Sequence, residues 1–301
     1  MTKKIAFLFP GQGAQSVGMG KDLYETYGIA KNVYDTADKI LGKSITTLCF
    51  EGPEEDLKQT VNTQPCIVTT SIAALEALKS ELNIIPDYAA GHSLGEYCAM
   101  YAAGVMNLET TLKAIQKRAD LMGSTKGGAM AAVLNAPEGS VEEALKEASS
   151  VGYVDVANYN SPVQVVITGD EAAVSKAGEI LLAKGARRVV PLAVSGAFHS
   201  KFMEKASEGF TEFASSLELN DASVPVITNV DAEVTVNAED FRRKMPKQIC
   251  SSVYWTQTIQ KMAADGVDTF IEIGPGKVIA GLNKKIAPEA TVYNVFDKAS
   301  L

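Results

Sequence analysis

The sequence predicts an α/β fold built in two parts, and three observations support that prediction. Short apolar runs are repeatedly followed by a glycine-bearing turn and an amphipathic stretch, the pattern of a parallel sheet with helical connections. One such turn, at residues 91–95, carries a serine between two glycines. Residues 127–195 break the alternation, because two strand patterns there follow each other directly. We therefore expect one parallel sheet and a second, smaller sheet.

The composition is that of a globular enzyme and excludes two other classes of protein. The 301 residues are 46% hydrophobic and 21% charged, which is too apolar for a disordered chain. Lys+Arg total 28 against 36 for Asp+Glu, a net charge of −8. Nucleic-acid-binding proteins need clustered positive charge, so we expect no nucleic-acid partner.

The cysteines and the apolar segments indicate a cytoplasmic protein. Cys49, Cys66, Cys98 and Cys250 lie far apart, without the paired spacing of zinc or iron–sulfur sites. The longest apolar stretch, residues 97–106, is well below the roughly 20 residues that a membrane-spanning helix needs. The apolar run near the start is too short for a signal peptide. We expect no metal, no permanently bound cofactor and no membrane partner.

The first and last thirds of the chain supply the predicted parallel sheet. Residues 5–9 form an apolar run that stops at Pro10-Gly11-Gln12-Gly13, and residues 88–90 form a second run before the serine turn. Residues 267–273 form a strong strand pattern that is followed by a helix. Pro65 is expected as the first residue of a helix, where its missing amide hydrogen costs nothing.

The middle of the chain predicts a ferredoxin-like unit. Strand, helix, strand, strand, helix and strand follow in order, at residues 129–134, 137–149, 153–158, 163–168, 171–184 and 187–192. Glycines near both ends provide hinge points. We therefore predict a small domain at 127–195, inserted into a large domain made of 1–126 and 196–301. The alternative is one continuous mixed sheet.

The serine turn has the pattern of a nucleophile elbow. Gly91-His92-Ser93-Leu94-Gly95 fits G-x-S-x-G, in which a sharp strand-to-helix turn exposes the serine at the end of a sheet. A strand pattern precedes it and a helix pattern follows, as that turn requires. The prediction for the large domain is therefore an α/β-hydrolase-like core with Ser93 as nucleophile, and the alternative is an ordinary glycine-rich turn.

A serine nucleophile needs a base, and the sequence offers few. Only two histidines occur, His92 and His199. His92 adjoins Ser93, and neighbouring side chains diverge at a sharp turn, so His199 is the predicted base. No acid is evident as a third member. Asp155 and Asp170 fit by chain order alone, and a backbone carbonyl can orient an imidazole equally well.

Two further positions are candidates with open alternatives. The amides of the Gly11-Gln12-Gly13 turn are expected to complete an oxyanion hole with the amide of Leu94. The alternative is a phosphate-binding loop, although the dinucleotide fingerprint fails at Ser16. Arg118 lies in a helix pattern, and its residue context alone favours a solvated cation.

These motifs together resemble a known family, the malonyl-CoA:acyl carrier protein transacylases of bacterial fatty-acid synthesis. The resemblance spans nearly the whole chain and rests on Phe9-Pro10-Gly11-Gln12-Gly13-Ala14-Gln15, Thr63-Gln64-Pro65, Gly91-His92-Ser93-Leu94-Gly95-Glu96-Tyr97, Arg118 with Met122, Gly196-Ala197-Phe198-His199-Ser200, Trp255-Thr256 and Glu272-Ile273-Gly274-Pro275-Gly276-Lys277.

The resemblance implies a role for each matched residue. Ser93 would carry the acyl group, with His199 as base and then acid. The oxyanion would bind the amides of Gln12 and Leu94. The guanidinium of Arg118 would pair with the malonyl carboxylate, and the main-chain carbonyl of Gln248 would orient the histidine. The side chains of Phe198 and Met122 would set acyl selectivity.

The resemblance also implies substrates and a partner. Malonyl-CoA would be the donor and acyl carrier protein the acceptor. We expect the protein to be a monomer. For docking of the acidic carrier we favour Lys284-Lys285 over Arg187-Arg188 and over Arg242-Arg243-Lys244 with Lys247. The rivals are a trans-acting acyltransferase of a polyketide synthase, a serine esterase or thioesterase, and a catalytically inert carrier-docking module.

Overall fold

The computed structural model describes residues 3–301, and its largest sheet has six strands. The strands lie in the order β10-β9-β1-β2-β7-β8. They are β1 (Lys4–Phe9), β2 (Tyr88–Gly91), β7 (Val226–Ile227), β8 (Val234–Thr235), β9 (Val267–Ile273) and β10 (Thr291–Val295). All neighbouring pairs are parallel except β7 and β8.

Helices surround this sheet. They are α1 (Lys21–Thr26), α2 (Gly28–Leu41), α3 (Ile45–Glu51), α4 (Glu54–Leu57), α5 (Thr60–Glu81), α6 (Gly95–Ala102), α7 (Leu108–Ser124), α10 (Glu204–Ser215), α11 (Ala238–Cys250), α12 (Trp255–Ala264) and α13 (Val278–Ile286). Two short 3₁₀ helices are Lys201–Met203 and Lys298–Ser300. None of the helices in residues 3–301 combines the length and apolar composition needed to cross a lipid bilayer.

A second sheet of four strands lies in the middle of the chain. Its order is β4-β5-β3-β6, with every neighbouring pair antiparallel. Its elements are β3 (Ala129–Leu134), α8 (Ser140–Ala148), β4 (Val154–Ser161), β5 (Gln164–Gly169), α9 (Glu171–Ala183) and β6 (Arg188–Pro191). The predicted fold class, a parallel α/β sheet with a small second sheet, is confirmed. The division into an inserted domain and a discontinuous large one stays a prediction.

The central strands of the large sheet bring two predicted turns together. β1 and β2 are parallel neighbours, from Ala6 opposite Tyr88 to Phe9 opposite Gly91. Parallel strands end at the same edge of a sheet, so the turn after Phe9 meets the turn after Gly91. The approach is close, since a Cβ on Gly95 would lie 2.4 Å from the Phe9 carbonyl oxygen. Only glycine fits there.

The prediction for Pro65 is wrong in one respect, because α5 begins five residues earlier and contains Pro65 in its second turn. A proline inside a helix leaves the carbonyl four residues before it without its usual donor. That carbonyl belongs to Val61, and it accepts from Lys43 Nζ at 3.0 Å and from Gln116 Nε2 at 3.3 Å. Side chains from distant parts of the chain, which the local pattern does not reveal, therefore keep the helix continuous.

Candidate functional site

Ser93 occupies a strained turn between β2 and α6. Its φ is 53°, in the left-handed region that non-glycine residues rarely adopt. The turn is also too tight for other residues at Gly91, where a Cβ would lie 1.9 Å from the Gly95 carbonyl carbon. The geometry is that of a nucleophile elbow, and it presents the Ser93 hydroxyl to a cavity at the carboxyl edge of the sheet.

His199 is within hydrogen-bonding distance of that hydroxyl. Its Nε2 lies 2.8 Å from Ser93 Oγ, and its Nδ1 lies 3.0 Å from the Gln248 carbonyl and 3.1 Å from the Ser251 carbonyl. Carbonyl oxygens only accept, so Nδ1 carries the proton and Nε2 is free to accept the serine proton. The family resemblance implied Gln248 in this place, whereas nothing pointed to Ser251.

The other candidates for a triad lie elsewhere. Asp170 accepts from the Tyr153 amide, and Asp155 accepts from the adjacent Val156 amide. His92 turns away from Ser93, with its Nε2 2.7 Å from Asn160 Oδ1. The imidazole that contacts Ser93 is therefore oriented by main-chain carbonyls rather than by a carboxylate.

The surroundings of His199 keep its ring neutral. Burial, and after it the positive charge of Arg118, lower the pKa of His199 to about 3, against the opposing effect of the Gln248 carbonyl. A neutral imidazole is the form that can accept a proton. The base is therefore in its active form throughout the physiological pH range.

Arg118 is a buried cation without an anionic partner among the described residues. It is 0% exposed, and its hydrogen bonds go to neutral acceptors. Nη1 donates to Gln64 Oε1 at 2.7 Å, and Nη2 donates to Gln248 Oε1 at 3.0 Å and to Ser93 Oγ at 3.1 Å. The solvated cation that local context favoured is therefore wrong. A buried charge is costly unless it is paired, so the site is suited to receive an anion.

Two backbone amides are available to stabilise negative charge near Ser93. Within residues 3–301, neither the Gln12 amide nor the Leu94 amide donates to an acceptor. Gln12 lines the same cavity as Ser93, and Leu94 directly precedes the N-terminus of α6. A helix N-terminus carries partial positive charge, which favours an oxyanion there.

The cavity around these groups has a volume of about 110 Å³. Ser93, His199 and Arg118 line it together with the two predicted selectivity residues, Phe198 and Met122. A second cavity of about 200 Å³ shares four lining residues with the first: Gln12, His92, Asn158 and Leu192. The two cavities therefore adjoin, and together they are called the passage; the second is lined on one side by the small sheet and on the other by α13.

Three residues in the network behind Ser93 were not predicted to have a role. Gln64 belongs to a matched motif but had no assigned role. Asn229 lies outside the matched motifs, and its side chain contacts the Ser93 amide at 2.7 Å. Glu96 is buried, its carboxylate accepts from the Asn229 amide at 2.6 Å, and burial raises its pKa to about 7. A carboxylate directly after the elbow motif, within an apolar helix, was the available signal for Glu96.

The basic clusters differ in how far they are already paired. Arg242, Arg243 and Lys244 form ion pairs with Glu239, Asp240 and Asp231. Lys284 and Lys285 are exposed on α13, and neither forms an ion pair within residues 3–301. Residues 3–301 also contain no group of three or more His, Cys, Asp or Glu side chains that could hold a metal ion.

Comparisons with known proteins identify relatives of this chain. The acyl transferase domain family matches residues 6–291. The malonyl CoA-acyl carrier protein transacylase of Bacillus subtilis (strain 168) is 45% identical over 302 residues, covering 99% of this chain and 95% of that protein.

Two solved structures are similar across almost the whole fold. The acyl carrier protein S-malonyltransferase of Vibrio cholerae has a TM-score of 0.96 at 37% identity, covering 99% of this chain and 98% of that one. A malonyl-transacylase solved in complex with its type II PKS acyl-carrier protein also has a TM-score of 0.96, at 35% identity and with 99% and 97% coverage.

Proposed function

The chain belongs to the acyl transferase domain family and is an acyltransferase, and on that premise we propose that it transfers malonyl from malonyl-CoA to the phosphopantetheine thiol of acyl carrier protein. The observation that carries the choice of acyl group is the buried guanidinium of Arg118, whose Nη2 lies 3.1 Å from Ser93 Oγ. A guanidinium binds a carboxylate through two parallel hydrogen bonds. Malonyl offers such a carboxylate two bonds from its thioester carbonyl.

The first half of the reaction acylates Ser93. His199 Nε2 takes the hydroxyl proton while Ser93 Oγ attacks the thioester carbonyl. The oxyanion that forms is stabilised by the amides of Gln12 and Leu94. The carbon–sulfur bond then breaks, and the imidazolium returns its proton to the CoA thiolate. The product is malonyl-serine and free CoA.

The second half reverses these steps with a different thiol. The carrier's phosphopantetheine thiol gives its proton to His199 Nε2 and attacks the malonyl-serine carbonyl. The oxyanion again binds the amides of Gln12 and Leu94, and collapse releases Ser93 Oγ, which recovers the proton from His199. Two substrates therefore alternate at one site, and the kinetics are ping-pong.

The shape of the acyl pocket restricts which acyl groups can bind, in addition to the charge of Arg118. Phe198 and Met122 line the cavity beside Arg118 and Ser93. Both side chains are large and 5% or less exposed, so they restrict the room around the acyl α-carbon. An acyl group branched at that carbon would have to displace one of them. This supports malonyl over methylmalonyl as the substrate.

The proposal extends to the oligomeric state, the cellular location and the surface that binds the carrier. Each group of the site comes from one chain, so a monomer suffices for the reaction. The chemistry uses residues 93, 118 and 199 and two amides, with no bound cofactor. Four free thiols agree with a cytoplasmic location. Lys285 and Lys284 are proposed to dock the carrier, on the exposed side of the helix that borders the passage.

The proposal is tested by looking for the acyl-enzyme. Purified protein is mixed with malonyl-CoA and analysed by intact mass spectrometry and peptide mapping. We expect a malonyl increment on the Ser93 peptide that persists after CoA is removed, and no increment in Ser93→Ala. Release of malonate faster than transfer would indicate an esterase or thioesterase, and no adduct at all would indicate an inert module.

A further inference from the structure

Gln248 forms hydrogen bonds with Ser93, His199 and Arg118, the three residues whose side chains the proposed reaction uses. Its main-chain carbonyl accepts from His199 Nδ1 at 3.0 Å. Its side chain makes two further bonds, since Nε2 donates to the Ser93 carbonyl at 2.7 Å and Oε1 accepts from Arg118 Nη2 at 3.0 Å. Gln248 is 1% exposed, so no solvent competes for these bonds. The proposed reaction uses the carbonyl alone and leaves the side-chain amide without a role.

The bond to the Ser93 carbonyl fixes a peptide plane. The carbonyl of Ser93 and the amide of Leu94 belong to one peptide unit, which is planar and trans. The two groups therefore point in opposite directions. Holding the carbonyl toward Gln248 Nε2 therefore turns the Leu94 amide away from Gln248. The Glu96 amide donates to the same carbonyl at 3.1 Å, so the Gln248 side chain, with the shorter bond, sets the direction of this oxyanion donor together with the first turn of α6.

A second amide side chain holds the preceding peptide unit. Asn229 Oδ1 accepts from the Ser93 amide at 2.7 Å, and Asn229 Nδ2 donates to the Gly91 carbonyl at 2.8 Å. Gln248 Nε2 also lies 3.3 Å from Asn229 Oδ1. The orientations of both amides are determined, because the Ser93 amide and Arg118 can only donate. Ser93 is thereby held at a positive φ by bonds on both sides.

We propose that the side chain of Gln248 is a positioning residue that couples the oxyanion hole to the carboxylate clamp. Through Nε2 it aims the Leu94 amide, and through Oε1 it places Arg118 beside Ser93 Oγ. Asn229 supports it by fixing the other side of the elbow. The second half of this inference, that Gln248 places Arg118 for a malonyl carboxylate, rests on the proposed function. The first half depends only on acyl transfer through Ser93.

The test separates the two halves by using an uncharged probe of Ser93. A fluorophosphonate ester phosphonylates a reactive serine and places its P=O oxygen in the oxyanion hole, with no carboxylate for Arg118. Gln248→Met has nearly the same length and keeps the main-chain carbonyl, but it loses both side-chain bonds. Lys247→Met makes the same replacement at the exposed neighbouring residue of α11 and serves as the control.

We expect Gln248→Met to be labelled at least about 10-fold more slowly than the unmodified chain, since loss of an oxyanion donor costs roughly 100- to 1,000-fold. Lys247→Met should be labelled at the unmodified rate. The acid limb of labelling should stay well below pH 6.5 in Gln248→Met, because the carbonyl that orients His199 is retained and the ring stays buried. Malonyl-CoA turnover should fall more than labelling does, because the position of Arg118 is lost as well.

Gln248→Glu provides a second variant of the same shape. A carboxylate cannot donate to the Ser93 carbonyl, so labelling should be slowed as in Gln248→Met. It also pairs with Arg118, so malonyl-CoA turnover should fall further still. This variant replaces Gln248→Met if the methionine chain does not fold.

Labelling within twofold of the unmodified rate in a folded Gln248 variant would overturn the inference. So would a loss of labelling in Gln248→Met whose acid limb rises to the pH 6.5 of an ordinary histidine, because that would indicate that His199 has left its buried position. If the unmodified chain is labelled but forms no malonyl adduct, the proposed function fails while the aiming of the Leu94 amide is still tested by the labelling rates.

Discussion

At the residue scale, the reacting groups were predictable because the chain offers few alternatives. One G-x-S-x-G turn and two histidines leave a single Ser–His pair, and the structure places its reacting atoms 2.8 Å apart. Gln64 and Asn229 were not predictable in their roles. Gln64 contacts Arg118, 54 positions away in the chain, and Asn229 contacts Ser93, 136 positions away. Amide residues carry no local pattern that reveals such distant partners.

Arg118→Ala should separate acyl selectivity from acyl transfer. Loss of a buried guanidinium–carboxylate pair costs about 3 kcal/mol, so kcat/KM for malonyl-CoA should fall roughly 100-fold. Acetyl-CoA has no carboxylate and should lose far less, so the malonyl-to-acetyl ratio measured with both thioesters should collapse. Lys117→Ala, at the partly exposed neighbouring residue of α7, should leave the ratio unchanged. An unaltered ratio in Arg118→Ala would refute the carboxylate role.

The low pKa of His199 predicts an unusual pH profile. Burial, and then the charge of Arg118, lower this pKa to about 3, so the free enzyme keeps a neutral base as the pH falls below 6. The acid limb of kcat/KM should therefore lie well below the pH 6.5 of an ordinary histidine. Removing the charge, as in Arg118→Ala, should raise the His199 pKa and move the limb to higher pH.

One neighbouring carboxyl titrates in the range where an ordinary histidine would. Burial raises the pKa of Glu96 to about 7, and its carboxylate is linked to Ser93 through Asn229. A limb near pH 7 that disappears in Glu96→Gln would belong to this carboxyl. A limb near pH 6.5 that survives that substitution would contradict the account of His199.

At the element scale, strand positions followed from apolar runs, whereas helix starts depended on distant partners. Strands β3 and β9 begin and end as predicted, since both are short apolar segments bounded by turns. α13 begins without a side chain cap of its own, and the carboxylate of Glu272 instead accepts from the amides of Ile279 and Ala280. The Glu272 motif was visible in the sequence, but its capping role depends on a turn that brings β9 back to α13.

The geometry of α13 predicts that its two lysines contribute unequally to carrier docking. Val278, Ile279 and Leu282 line the passage. At about 100° per residue, Lys285 lies within roughly 20° of Val278, whereas Lys284 lies on the far side of the helix. Lys285→Glu should therefore raise the KM for the carrier more than Lys284→Glu does, with acylation by malonyl-CoA unchanged in both. Carrier KM values that match the unmodified chain in both variants would place docking elsewhere. An equal rise in both would contradict the unequal contribution of the two lysines.

At the scale of the whole molecule, the two sheets were predictable and their contact was not. The β-α-β-β-α-β order indicated a separate antiparallel sheet. No pattern indicated that Val253, just before α12, pairs with β4, where its amide donates to the Ala157 carbonyl at 2.8 Å. This pairing places Asn158 and Leu192 of the middle segment beside Gln12 in the passage. The site is therefore bounded by both parts of the chain.

The same passage must admit two large thiol substrates in turn. Arg118 lines the inner cavity and α13 lines the outer one, and the two lysines of α13 offer local positive charge on a molecule with a net charge of −8. Local charge of this kind can steer an acidic partner against an unfavourable overall field. A water-excluding acyl pocket and a charged entrance are both needed for transfer to succeed over hydrolysis.

The most direct measurement of the central claim is a single turnover from the isolated acyl-enzyme. Protein acylated with malonyl-CoA is freed of CoA and mixed with acyl carrier protein bearing its phosphopantetheine thiol. We predict that malonyl leaves Ser93 and appears on the carrier thiol in equal amount, with little free malonate. Malonate released without malonyl-carrier, or an acyl-enzyme that never forms, would contradict it.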